Sequence, residues 1–480
     1  TRNAMMRRSC RHCRFAVWGL GAAAALSSSS SPGRASVKTT SSRASSAALF
    51  DAVLAEERAL ESLPIFDREK TSASDETPGV AWAGPDDDDD DDDDDESNVT
   101  GVAIVVDATC EYLGVAFVDE LRSRGVGVVT LLSEYLAATL TAAFDGAAPP
   151  ASLVAPRPGD EHAWWDALRR DDAFFSSTAP LLCVLSESDA GIATAERLAD
   201  VLGAQHRNAP SPARRHKWLL HEVLRSRALP ACAQALCETR QDVEAFWQRT
   251  LESSGREEKE GVVQVVVKPA RGVASDGVRV CATLEEAVAA FDALRGTHRY
   301  AGGVNDRVLV QERLRGQEYA VDTVSRDGEH KVCAVWKYDK RRLADDAPRV
   351  YFCSELVASD DATIIVEAAV VAALTAVGHS NGPTHTEVIF DESSSMATLV
   401  ELNARFHNQC FPPIAERCVA TGGGLTQLQL AAIAVAPPES SEEDDDDEWR
   451  ALPSSLARDL SGVGRIVHLV ARRGGTVKAF

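Results

Sequence analysis

Downstream of residue 98 the chain alternates between short, nearly unbroken apolar runs and longer stretches whose apolar residues return every three or four positions. The first pattern predicts buried strands and the second amphipathic helices. Residues 101–108 read as a strand, 112–124 as a helix and 127–132 as a strand, a βαβ opening. A further strand at 181–185 leads through Ser186, Glu187, Ser188 and Asp189 into a helix over about 191–202. Residues 98–206 are therefore expected to form an open α/β domain. Where a dinucleotide-binding turn would need its glycines, Asp107-Ala-Thr-Cys-Glu-Tyr-Leu-Gly stands instead. A Rossmann-type cofactor is not supported.

Further on, a helical pattern covers 216–227, and the β-branched run 262–267 ends at Lys268. Thr283 and Glu286 have capping-box spacing ahead of a helix carrying Val288, Phe291 and Leu294. Strands are expected at 307–311, 318–324, 331–336 and 349–356, then a helix over 364–377, then two strands of a hairpin. Mixed elements in this order predict an α+β domain of two lobes over 210–436. The last thirty residues, 451–480, contain a strand-like stretch at 464–471 and read as a small C-terminal lobe cut short.

Composition changes the picture at the ends. The net charge of -23 comes mostly from two runs, 86–96 and 442–448, which hold 18 acidic residues. Such runs repel themselves and bury no apolar area, so 51–97 is expected to be a disordered acidic linker and 437–450 an acidic loop. The first 50 residues hold eight Lys or Arg, no acid, and many Ser and Ala, the composition of a targeting leader. Its apolar run, 15–26, is too short to span a bilayer. An organelle address, plastid or mitochondrion, is expected, or otherwise the cytoplasm. The chain opens on Thr1, so Met5 or Met6 reads as a start. Eleven cysteines lack metal-site spacing, Cys10 and Cys13 standing alone, which points to reduced, mostly buried thiols.

The candidate chemistry lies in the second domain. Lys268 ends a buried strand and can aim its ammonium at phosphate oxygens. Gly272 and Gly277 in the loop behind it permit backbone angles that let amides converge on an anion, and Ser275 adds a hydroxyl. Taken alone, this loop is weak evidence and reads first as an exposed strand-to-strand turn. Glu401 and Asn403 are two apart on a strand and share a face. Across a turn of Asp391, Glu392 and three serines, Glu387 can lie beside Glu401. Two carboxylates and an amide oxygen suit Mg²⁺, with Mn²⁺ as a substitute. Arg405, on the same face, can hold a carboxylate or phosphate with two hydrogen bonds. An ordinary hairpin with exposed acids remains the rival account. Gln311, Glu312, Leu314 and Glu318 surround a turn between two strands, where an interlobe hinge or a plain charged hairpin would sit. Lys217 opens a helix after Arg214, Arg215 and His216, and a solvated basic helix start explains it equally well.

Together these residues resemble the ATP-grasp superfamily, in particular its carboxylate-amine ligases of the L-amino-acid ligase kind. The likeness runs from Val102 to about Ala436. Its more specific pieces are 186–203 with Asn208, the Lys217 helix, Lys268, Gln311-Glu312, Gly316 with Glu318, Trp336-Lys-Tyr-Asp-Lys340, the 381–387 segment and Glu401-Leu-Asn-Ala-Arg405. The resemblance implies that Lys217 and Lys268 contact ATP phosphates under a lid over 270–278. It implies that Glu312 and its neighbours bind adenine and Glu318 ribose, and that Glu387, Glu401 and Asn403 hold one or two Mg²⁺. Arg405 would stabilise an acyl phosphate. Two departures stand out: Phe406-His-Asn-Gln-Cys-Phe follows the metal hairpin where relatives turn on glycines, and Ala274 replaces a lid glycine.

The implied reaction joins a small carboxylate to an amine, an amino acid for preference, with ADP and phosphate released. A phosphotransferase on the same scaffold and a non-catalytic ATP-binding protein are the alternatives. A biotin-dependent carboxylase is disfavoured, because no Glu-His-Pro follows Arg405. No nucleic-acid partner and no stable membrane association are expected, and a homodimer is left open.

Overall fold

The computed structural model describes residues 46–61, 99–108, 115–143, 153–170, 178–254, 263–273, 275–299, 302–342, 349–408, 410–419, 425–436, 448–458 and 460–468. The proposed leader up to residue 45, with Cys10 and Cys13, the acidic runs 86–96 and 442–447, and Ala274 lie outside them. Helix α1 (Ser46–Glu61) crosses the boundary placed at residue 50. It is a correction to the expected linker: Leu49, Phe50, Val53 and Leu54 share one face and pack on the cluster containing Trp218 and Leu219. Spacing of this kind buries a stripe even beside an acidic tract.

The α/β opening is present. Strands β1 (Gly101–Val106) and β2 (Val126–Leu131), helix α2 (Phe117–Ser123) between them, then helices α3 (Glu134–Ala143) and α4 (Glu161–Arg170), lead to strand β3 (Leu181–Ser186) and helix α5 (Ile192–Val201). The sheet is parallel in the order β2-β1-β3. β1 and β3 are buried along their whole length, as parallel strands covered on both faces must be. Their carboxyl ends therefore open on one edge, where Asp107, Ser133 and Ser186 lie.

Helix α6 (Lys217–Ser226) begins the second domain, with the His216 ring accepting the Leu219 N–H as its N-cap. A four-stranded antiparallel sheet follows in the order β4-β7-β5-β6, made of β4 (Gln234–Cys237), β5 (Val265–Pro269), β6 (Arg279–Cys281) and β7 (Val308–Glu312). Helices α7 (Arg240–Ser254) and α8 (Leu284–Leu294) cover it through Phe246, Trp247 and Phe291. Neither β4 nor α7 was expected from the sequence. The capping box forms by half: Thr283 caps the Glu286 N–H, but the Glu286 carboxylate accepts from Ala282.

The larger lobe is a six-stranded sheet in the order β12-β11-β8-β9-β10-β13. It comprises β8 (Gln317–Arg326), β9 (Glu329–Arg342), β10 (Arg349–Leu356), β11 (Gly382–Asp391), β12 (Met396–Asn403) and β13 (Arg465–Val467). Helix α9 (Asp361–Ala376), closed by an Asp360–Thr363 capping box, packs on one face. Helices α10 (Pro412–Cys418) and α11 (Gln427–Val435), which the sequence reading left unassigned, pack with Phe406 and Trp336 on the other. Phe117 of α2 meets Phe406 edge-on at 4.9 Å, so the α/β domain joins this core. The C-terminal residues form no separate lobe among those described: 454–456 hydrogen-bond to Val332 and β13 extends the sheet edge. Helix α12 (Glu448–Ala451) buries Trp449 where a loop was expected.

Candidate active site

The hairpin of β11 and β12 sets Glu387 directly opposite Glu401 and His385 opposite Asn403. Asn403 donates to Glu401 Oε1 at 3.1 Å. The facing cation is Lys217, whose Nζ lies 2.8 Å from Glu401 Oε2 and also donates to the Gly272 carbonyl at 2.9 Å. Lys217 is buried, so the solvated helix start does not describe it. Lys268, at the end of β5, is buried too and lies in the fields of Lys217, Glu401 and Glu387. Burial and the Lys217 charge push its pKa down to about 8, the carboxylates opposing.

Glu318, on β8 next to β11, joins the same cluster and not the hinge. Its carboxylate takes a hydrogen bond from Lys340 Nζ at 2.5 Å, and Lys340 lies 3.8 Å from Glu387. Burial and Glu387 push the Glu318 carboxyl above its ordinary range. Glu387 goes the other way: burial opposes its charge, but Lys340 and His385 hold it ionised. Three carboxylates are thus gathered beside Lys217, Lys340 and His385, a set of hard oxygens of the kind a divalent cation takes. The residues present fit Mg²⁺.

The loop after Lys268 borders a cleft of about 240 Å³ lined by Arg271, Gly272, Asp276, Gly277, His298 and Arg299 among others. Gly277 has φ +68° and Ser275 φ +61°, whereas Gly272 does not adopt a positive φ. Among the described residues of the turn, the left-handed ones are therefore Ser275 and Gly277. At the hinge, Gln311 is buried and donates to Gln234, and the Glu312 carboxylate accepts the Ala233 N–H at 2.7 Å. Leu314 is half-buried in the connection to β8.

Residues 262–413, which hold nearly all of these groups, match the family model of the ATP-grasp domain. The chain carries an ATP-grasp domain. A relative is dapdiamide A synthase of Enterobacter agglomerans, 28% identical over 261 residues that cover 52% of this chain and 56% of that protein. The chain thus spans about half the length of the curated relative it matches. Among solved structures, an L-amino acid ligase from Bacillus licheniformis aligns at 17% identity and TM-score 0.49, over 72% of this chain and 76% of that one. A carboxyaminoimidazole ribonucleotide synthase from Aspergillus clavatus, complexed with ATP, aligns at 15% identity and TM-score 0.49, over 77% and 82%.

One group in the ATP-grasp domain received no role from the sequence. Asp322 on β8 accepts the Trp336 indole N–H at 2.8 Å, and His407 Nδ1 lies 2.8 Å from its Oδ1. His385 Nδ1 is 3.6 Å away. Burial pulls His385 down, yet Asp322 and Glu387 carry it up to about 9, while burial holds His407 down to about 4. The two rings stack at 3.9 Å. Stacked rings cannot aim their lone pairs at one ion, so this is a buried charge network that braces Glu387. Arg405, expected at an acyl phosphate, makes two hydrogen bonds to Asp189, at 2.7 and 2.8 Å, across to the α/β domain, and Asp189 had received no role. No spacing rule reaches across 216 positions, and only the fold brings this pair together.

Proposed function

We propose that the chain is an ATP- and Mg²⁺-dependent ligase that joins a carboxylate to an amine through an acyl phosphate. The observation that carries this reading is that Glu401, set beside Glu387 and Asn403 on one hairpin, meets Lys217, with Lys268 of the small lobe in the field of both carboxylates. ATP occupies the space between the lobes, its phosphates against the two lysines and beneath the 270–278 loop. Gln311, Glu312 and Leu314 border the adenine end. Glu318 stands close enough to the metal set to serve ribose or cation. When bound, Mg²⁺ at Glu387, Glu401 and Asn403 offsets charge on the phosphoryl oxygens.

The chain's own residues do the rest by position and charge. Lys217 and Lys268 draw electron density from the γ-phosphoryl group as the substrate carboxylate attacks it. Arg405 holds the resulting acyl phosphate with its planar fork. An amine attacks the acyl carbon, the amide forms, and phosphate departs. The closed loop excludes the water that would hydrolyse the intermediate. The curated relative is a synthase by name, which supports amide formation over transfer to an alcohol.

The test is phosphate release from ATP across pairs of amino acids and carboxylic acids. Glu401→Gln is expected to abolish pair-dependent release, because the charge opposite Glu387 is gone. Full release from this variant would refute the metal assignment.

A further inference from the structure

The loop carrying Asp189 is built at some expense. Asp107, wholly buried at the end of β1, accepts hydrogen bonds from the Ser133 amide at 2.6 Å, the Ser133 hydroxyl at 2.9 Å and the Ser188 hydroxyl at 2.5 Å. Burial raises its pKa against those bonds. The Ser188 Oγ also receives the Gly191 N–H at 3.0 Å. A side chain at Gly191 would come within 2.9 Å of Ser186, Asp107 and Val106. All three strand ends are thus tied to one turn, at the carboxyl edge where open parallel sheets bind ligands. What the turn presents is Asp189.

Asp189 faces the Arg405 fork, and both side chains keep part of their surface open, 20% and 16%. In the reading above, Arg405 gives its fork to an acyl phosphate. Asp189 then loses its counter-ion while still half-buried, a state that calls for another cation. The incoming reactant carries one, since an amino acid's nitrogen is an ammonium at neutral pH.

Resting on the ligase reading, we propose that Asp189 receives the acceptor amine. The ammonium takes the place of Arg405 against the carboxylate, beside the acyl carbon. Asp189 accepts one proton as the nitrogen lone pair forms the N–C bond. The C–O bond to phosphate breaks, its electron pair leaves with the phosphate, and the second nitrogen proton goes with it. The product is a neutral amide.

The experiment compares two acceptors. Wild-type and Asp189→Asn proteins receive Mg²⁺, ATP and each of the twenty L-amino acids as acid. The acceptor is either hydroxylamine, uncharged at neutral pH, or the same amino acids. Hydroxamate formation by Asp189→Asn is expected to stay close to wild type, while amide formation falls roughly 100-fold, the scale of a lost general base. Equal loss in both assays with an unchanged urea midpoint, or no loss in either, overturns the role of Asp189 and leaves the ligase reading intact. Should Asp189→Asn lower the midpoint, Asp189→Glu decides: it must recover amide formation relative to hydroxamate, and failure to do so overturns the role. A wild-type protein silent in both assays refutes the ligase reading and this role with it.

Discussion

Lys268 is a buried ammonium whose environment resists its charge. Its pKa of about 8 stands below the ordinary 10.5, because burial and Lys217 both disfavour the protonated form. Between those two values the unfolded chain binds a proton that the folded chain has given up, so folding stability is expected to rise with pH across that window. Below about 8 the penalty is present in full. A triphosphate reverses the preference by supplying opposite charge. Affinity for a non-hydrolysable ATP analogue should accordingly be flat below pH 8 and weaken above it. Lys268→Met should remove both slopes, which urea titrations and calorimetry at several pH values would read. A slope retained in that variant would assign the effect elsewhere. At this scale the sequence was informative where chemistry was local: Glu401 and Asn403 share a face by period alone. It gave Lys340 and Asp189 no role, because their importance depends on neighbours brought in from other elements.

At the level of elements, the apolar periodicity located most strands of the two lobes, and β10 begins and ends where it was expected. The elements it missed have physical reasons. Helix α7 carries Arg240, Asp242, Glu244 and Arg249 among few apolar residues, so its buried stripe of Val243, Phe246 and Trp247 is thin. Helix α11 is apolar almost all round, because the large sheet and α2 enclose it, and such a run has little periodicity to read. The hinge turn holds a constraint that sequence shows only as a glycine. Gly316 has φ +129°, and a Cβ there would lie 2.0 Å from the Phe390 carbonyl oxygen. Gly316→Ala must therefore move the turn away from β11, the strand that carries Glu387. A loss of roughly 3 kcal/mol or more in urea-unfolding stability is expected. A loss below about 1 kcal/mol, the size of a permissive glycine replacement, would show that the turn yields without strain.

Taken as a whole, the molecule places its chemistry where separate sheets meet. The small lobe contributes Lys268, the large sheet contributes three carboxylates and Asn403, and the α/β domain contributes Asp189 across from Arg405. No single sheet holds enough of these groups to act. Among the described residues no helix is long and apolar enough to cross a membrane. Under the proposed ligase reading the two lysines and the metal set take the terminal phosphates, so ATP is cleaved between its β- and γ-phosphates. The most direct test is the product balance from ATP, an amino acid as acid and hydroxylamine, with the phosphorus species read by phosphorus NMR and the hydroxamate by its coloured ferric complex. The account predicts ADP, inorganic phosphate and hydroxamate in equal amounts. AMP with pyrophosphate, or a stable phosphorylated product with no hydroxamate, would contradict it.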